Sequence, residues 1–335
     1  MRKISIGAVV LAVLLILTYG GFWFYTAGQI RQRIEPFAEA RRAEGYIIRW
    51  DDYRVGGFPF AFRVQFDNLF VAAPNPLPSE ISGPDIVFSA APWNLQRWTL
   101  SALTGARLEI LLISAGFDVA SLKGLLTLPV YPEGALDIEA SNLTGRGGAE
   151  GISVETARLA LSQPPAPPAT ERDAFLFASF KLSGLTLARD VPPLGPTIAE
   201  ISANVAIEGA FVPGPVAQAL SDWRDHGGTI ELQQGHLQWD KLGADADGTL
   251  ALDQDLQPLA AFSARVRGAD ELVDAAVASG SMRAQDAGIA KMLLGLIGTA
   301  GADGQKEVKV PISAQNGKIL LGPARVANLP RIDWR

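Results

Sequence analysis

The sequence predicts an α+β fold: an N-terminal transmembrane helix, then a long curved antiparallel β-sheet with a few helices packed on its apolar face. Three observations predict it. Ile4 to Phe24 is a run of 21 residues without a charge. Segment after segment of the remaining chain alternates apolar and polar residues with period two, the strand signal. Three late stretches instead repeat their apolar residues at helical spacing.

The uncharged run, marked by Ile4, Val9, Leu14, Leu17 and Phe24, spans roughly 30 Å at about 1.5 Å per residue, one hydrocarbon core. A cleaved signal peptide is the competing reading. Its apolar core is usually about 7–15 residues long, and its cleavage site needs small residues that Tyr25-Thr26-Ala27 does not supply. A retained signal anchor over residues 1–28 is therefore expected. Trp23 and Tyr25 are expected at the membrane interface, where amphipathic rings settle. Residues 29–45 should continue as a juxtamembrane helix. Ile30, Ile34 and Phe37 form its stripe, Pro36 should kink it, and Gly45 should end it.

Strands follow. Phe60, Phe62, Val64 and Phe66 alternate with Arg63, Gln65 and Asp67. Leu136, Ile138 and Ala140 oppose Asp137 and Glu139. Ile201, Ala203, Val205 and Ile207 oppose Ser202, Asn204 and Glu208. Phe262, Ala264 and Val266, and then Val308, Val310 and Ile312, repeat the pattern. One wet face and one apolar face per strand is the mark of an antiparallel sheet covered on one side. Phe60, Phe62, Val64, Phe66, Ile201, Val205 and Ile207 are the candidate lining of an apolar groove. Between residues 152 and 162 the phase slips, from Ile152 and Val154 to Ala157, Leu159 and Leu161, as one inserted residue in a β-bulge would cause.

The three helices are expected after Pro215 (Val216, Ala219, Leu220, Trp223), around Leu272, Val273, Ala276 and Val277, and over Ile289, Met292, Leu293, Leu296, Ile297 and Ala300. The Pro-rich loop 163–171 divides the body into a β-rich N-terminal half, 46–162, and a β-rich C-terminal half with the helices, 172–335. It reads as a long exposed loop, with a domain linker as the alternative. No fixed repeat period is visible.

Composition narrows function. Apolar residues make up 48% and charged residues 19% of the 335 residues, which excludes global disorder. No cysteine and only two histidines, His226 and His236, are present. That removes disulfides, thiol chemistry and Cys-based metal sites, and leaves little for nucleophilic catalysis. The histidines sit in separate elements without a motif-like carboxylate. Asp245-Ala-Asp247-Gly248 starts like a calcium loop, but Leu256 stands where the loop's last ligand belongs; a strand-linking Asp-Gly turn is expected instead. Gly145-Arg-Gly147-Gly148 lacks the phosphate-loop lysine and reads as a turn. No catalytic residue, cofactor or metal site is expected, and the protein is not read as an enzyme. The net charge is −6, and Arg2 and Lys3 are the only charges in residues 1–28, so the body carries −8. An acidic body with no Lys/Arg block argues against nucleic acid. Arg31, Arg33, Arg41 and Arg42 follow the span and only Arg2 and Lys3 precede it, so a bare positive-inside count would keep the body in the cytoplasm. Glu35, Glu39 and Glu44 interleave those arginines, and large domains translocate largely regardless of charge, so the periplasmic side is the expectation.

The block Val55-Gly56-Gly57-Phe58-Pro59-Phe60-Ala61-Phe62-Arg63, just after an anchor and Trp50, resembles the envelope family called domain of unknown function 2125. Gly57, Phe58, Pro59 and Phe60 form the family-like motif. Gly248-Thr-Leu250-Ala-Leu252-Asp253 with Leu256-Gln257-Pro258, Arg265-Val266-Arg267-Gly268, and Gly317-Lys-Ile319-Leu-Leu321-Gly322-Pro323 are similar to that family's late strands. They also resemble AsmA-type envelope proteins, whose β-grooves are implicated in carrying lipids between membranes. The resemblance implies an inner-membrane, single-pass anchor, a periplasmic body and a lipid-handling groove, with no catalytic residue to carry over. The partners so implied are the lipid bilayer and envelope lipids. A structural or assembly factor holding an envelope protein is the alternative.

Overall fold

A computed structural model describes residues 6–73, 79–110, 114–128, 134–164, 166, 168–170, 172–209, 215–280, 282–300, 306–322, 324–332 and 334. Helix α1, Ile6–Ala43, runs unbroken through the apolar run and the juxtamembrane stretch, with Pro36 inside it. It ends where expected: Gly45 takes a left-handed φ of 95°, and the amides of Gly45 and Tyr46 donate to the carbonyls of Arg42 and Arg41. Ile4 lies outside the described residues.

The first half of the sheet comprises β1 (Ile47–Arg49), β2 (Asp52–Gly56), β3 (Phe62–Ala73), β4 (Ser79–Ala91), β5 (Asn94–Ala102), β6 (Ala106–Ile110), β7 (Ala115–Thr127), β8 (Ala135–Gly147) and β9 (Ser153–Ser162). Then come β10 (Ala174–Thr186), β11 (Thr197–Glu208), α2 (Val216–Asp225), β12 (Ile230–Trp239), β13 (Leu242–Leu252), β14 (Pro258–Arg267), α3 (Ala269–Ala278) and α4 (Ala284–Ile297). The chain closes with β15 (Thr299–Ala300), β16 (Lys306–Gln315), β17 (Lys318–Leu321) and β18 (Ala324–Asn328), of which β16 is the longest.

All described strands join one sheet, and every pairing is antiparallel. The order in space follows the order in sequence. Three strand positions are broken: β1 and β2 both pair with β3, β5 and β6 both lie between β4 and β7, and β15 and β17 share one edge of β16. β9 pairs directly with β10, so the sheet continues across the Pro-rich loop. Of that loop, Pro165, Pro167 and Glu171 lie outside the described residues. With about 4.8 Å between strands, so long a meander must curl to bury its apolar face.

The curl has a visible origin. Pairing is skipped at Asn68, Asn142, Glu155 and Gly184, while the register on either side is preserved. Asn68, Asn142 and Gly184 take left-handed φ values of 53°, 51° and 62° there, a conformation that Gly and Asn tolerate best. The slip expected in residues 152–162 is this one. It is not a bulge, because the neighbouring strands slip at the same level and no register shift results. Side chains three residues apart therefore point the same way: Val119 with Leu122, Leu143 with Ala140, Val154 with Ala157 and Leu185 with Leu182. All eight belong to one core cluster. The crease brings two apolar rows together and buries them.

The helices gather late. α2 follows Pro215 and stops at Gly227, whose φ is 79°. Trp223 is buried and donates to the Glu208 carbonyl at 2.7 Å. α3 touches β13 and α4 rests on α3, while Leu294 of α4 shares a small cavity with Val308 of β16. α4 ends at Ile297, and Ala300 lies in β15. Ile289 and Met292 of α4 are exposed.

One expected turn is a strand interior. Asp245-Ala-Asp247-Gly248 lies within β13, with Gly248 opposite Phe262 and Leu232. A Cβ on Gly248 would collide with the Ala261 carbonyl oxygen. This glycine is there for close packing, and the turn sits at Asp253–Gln257 instead. Gly145 and Gly147 likewise belong to β8, with the turn following them.

Candidate functional site

The register of the sheet turns the one-sided strand pattern into a continuous surface. Reading across opposed residues from β2 to β16, one row is Tyr53, Phe66, Ile86, Ala102, Leu122, Ala140, Ala157, Leu182, Ile201, Leu237, Ala244, Val266 and Val308. The next row on the same face is Val55, Val64, Phe88, Leu100, Gly124, Ile138, Leu159, Phe180, Ala203, Gly235, Ala246, Ala264 and Val310. A third starts at Phe62, Ala90, Trp98, Leu126, Leu136, Leu161, Ala178 and Val205. No polar side chain beyond the Tyr53 hydroxyl and the Trp98 indole N–H interrupts them, and the latter donates to the Leu95 carbonyl at 2.9 Å.

Burial along this surface is uneven. Near the crease it is deep, with Leu122, Leu143 and Val154 in the core. In the middle strands it is shallow: Leu159 is 38% and Phe180 40% exposed, and Ile201, Val205 and Ile207 are half-buried. The candidate groove residues Phe62, Val64 and Phe66 are buried at the start of the surface. Phe60 is not with them. It is exposed, in a turn closed by the Ala61 amide donating to the Gly57 carbonyl at 3.0 Å. Gly57 holds a φ of 100° there, so the apparent alternation of Phe60 with Phe62 runs across a turn rather than along a strand.

That turn has a partner that sequence reasoning missed. Trp23 of α1 is buried, stacks on Phe62 at 5.2 Å between ring centroids and meets Phe58 edge-on at 5.4 Å. Its indole N–H donates to the Ala61 carbonyl at 3.2 Å, and the Tyr19 hydroxyl donates to the Pro59 carbonyl. Phe24 stacks on Phe58 at 5.5 Å. Trp23 is thus no free interfacial ring; it is the dock on which the first long strand rests. Tyr25, Leu14 and Leu17 stay exposed. Among the described residues α1 is the one helix long and apolar enough to cross a membrane.

The opposite face is wet and charged. Lys123, Glu139, Arg158, Lys181, Ser202, His236, Asp245, Arg265 and Lys309 oppose one another in order. Arg158 donates to Asp137 at 2.9 Å, and Lys181 to Glu200 at 2.8 Å. His236 Nδ1 lies 2.7 Å from Asp245, Asp245 lies 3.0 Å from Arg267, and Arg267 lies 3.2 Å from Glu307. The Arg158 hydrogen bond holds the Asp137 carboxyl below its usual range, and the Lys181 hydrogen bond does the same for Glu200. Burial pushes Asp245 up, but the bonds from His236 and Arg267 outweigh it and leave its pKa lowered. Each pair is partly solvated and individually weak. His226 sits at the end of α2, its Nδ1 2.6 Å from the Asp222 carbonyl oxygen. Among the described residues no three His, Asp or Glu side chains gather as a metal-binding group.

A membrane-type helix docked on an extended antiparallel sheet, one face apolar and the other charged, defines the class. Residues 23–330 match the model of a family described as uncharacterized protein conserved in bacteria (DUF2125), and the chain belongs to that family. The match opens at Trp23 and takes in the Gly57–Phe60 motif docked on it. No curated protein and no solved structure matches the chain.

Proposed function

We propose that this protein is a single-pass inner-membrane protein whose periplasmic body holds acyl chains of envelope lipids along the apolar face of its sheet. The observation that carries the reading is the set of unbroken apolar rows that begin beside the membrane helix, two of them running on to β16. Leaving Leu159 and Phe180 partly open to water costs free energy in proportion to the apolar area, about 25 cal/mol per Å², and an acyl chain would remove that cost. The charged opposite face suits a body that keeps its other side in water. No catalytic step and no cofactor belong to this reading.

Native mass spectrometry of the full chain, released from mild detergent, tests it. Retained phospholipid on the wild-type chain, lost in Phe180→Glu, is expected; a lipid-free chain, or equal retention by both, contradicts it. A reporter fused after Arg335 that is active only in the cytoplasm would overturn the orientation.

A second reading is an assembly factor that adds a partner strand to the sheet. One feature favours it: β18 pairs only with β17 among the described residues, which leaves an open edge. A specific protein crosslink at that edge, without bound lipid, would select it.

A further inference from the structure

The contacts along α1 fix how deep the body sits. Tyr53 of β2 donates to the Arg31 carbonyl at 3.3 Å, and Arg42 donates to the Ile48 carbonyl at 3.0 Å. Trp23 meets Ala61 and Phe62, and Tyr19 meets Pro59. The strand that follows the helix therefore runs back down its side, and the Gly57–Ala61 turn is its lowest point. Tyr19 lies five residues inside Phe24, the outer end of the apolar span, and the chain stays uncharged from there to Ile30. At about 1.5 Å per residue that is roughly 7.5 Å toward the bilayer centre.

The side chains at this point are apolar and face outward. Phe60 is 76% and Phe58 49% exposed, and Trp93, in the adjoining turn between β4 and β5, is 76% exposed. Arg63 and Arg97 stand just above, exposed, and neither takes part in an ion pair among the described residues. An unpaired basic lip on an acidic body matches anionic headgroups, with aromatic rings below it for the hydrocarbon edge.

We infer that the Phe58–Phe60 turn and Trp93 form a wedge inserted into the lipid leaflet from which the body emerges. The wedge sets the foot of the sheet, where Trp23 of α1 covers Phe62, level with that leaflet. The inference rests on the reading that α1 crosses the membrane.

The chain has no cysteine, so Leu17→Cys, Phe60→Cys, Trp93→Cys and Gln233→Cys each give one nitroxide attachment point. The labelled full chains are reconstituted in phosphatidylcholine–phosphatidylglycerol vesicles. Collision rates with oxygen, which concentrates in lipid, and with a water-soluble nickel chelate then read depth. Labels at 60 and 93 should favour oxygen, as should 17, while 233, exposed on β12, should favour nickel. Labels at 60 and 93 that behave like 233 while 17 stays deep would overturn the wedge and leave the anchor standing. A label at 17 that behaves like 233 would overturn both.

Discussion

Replacing Trp23 should loosen the first strands without touching the rest of the sheet. Trp23 and Phe62 form a small core with Ala27, packed by Ile30, Val55, Leu95 and Trp98. The larger core at the crease shares no residue with it. Trp23→Ala removes a buried indole, its stack on Phe62 and its hydrogen bond to Ala61. Truncating a buried aromatic to Ala costs about 3–5 kcal/mol. Since about 1.4 kcal/mol is a factor of ten, opening of β2 and β3 should become at least about a hundredfold more frequent. Native-state hydrogen exchange on the full chain reads this directly, because protection reports local opening. Amides of β2 and the first half of β3 should exchange at least about a hundred times faster, with β8 and β9 unchanged. Trp23→Phe keeps one stacking ring but loses the donor and part of the buried indole volume, so an effect smaller than that of Trp23→Ala is expected, at least about 1 kcal/mol and several-fold faster exchange there. Unchanged exchange in β2 and β3, or an equal rise in β8 and β9, would refute the docking of sheet on helix.

Leu143 is buried within the crease core; Leu143→Ala should cost about 2–5 kcal/mol and lower the thermal midpoint of the body, read by circular dichroism. Gly248→Ala forces a Cβ against a backbone oxygen, so it should destabilise by more than about 1 kcal/mol in the same assay. Acid should act through the wet face. Asp137, Glu200 and Asp245 have lowered pKa values when folded, so the unfolded chain binds more protons. Their stabilisation is present above the unfolded carboxylate value of about 4 and is lost as pH falls through the folded values. Denaturant midpoints should be flat from about pH 7 to 5 and fall below about pH 4, less steeply in an Asp137→Asn/Asp245→Asn variant.

Much of this fold is written locally. A helix of 38 residues follows from an uncharged run and an i, i+4, i+7 stripe, and it stops at the glycine that can take a left-handed φ. The alternation around Phe62, Ile138, Ile201, Phe262, Ala264 and Val308 marks strands in which those residues indeed lie. What stayed hidden depends on partners distant in sequence. Phe60 continues the alternation in letters, but Gly57 and the Ala61–Gly57 hydrogen bond turn the chain before the strand starts. Asp247-Gly248 has turn composition, yet the strands on both sides pair it into β13. The slip near Glu155 is readable in one strand, but only its alignment with Asn142 and Gly184 makes it a crease. Trp23 reads as an interfacial ring because nothing nearby announces the turn that covers it, although the Gly-Phe-Pro-Phe block was itself visible.

Phe180 and Lys181 are adjacent, and their side chains stand on opposite faces of β10: Phe180 in an apolar row, Lys181 in the charged one. A photoreactive benzoylphenylalanine placed at each position in turn, in the full chain in living cells, samples both faces under identical conditions. Lipid adducts at position 180 and none at 181, read by mass spectrometry, are what a lipid-holding apolar face predicts. A position 180 that yields no lipid adduct, or no more than position 181, would contradict it.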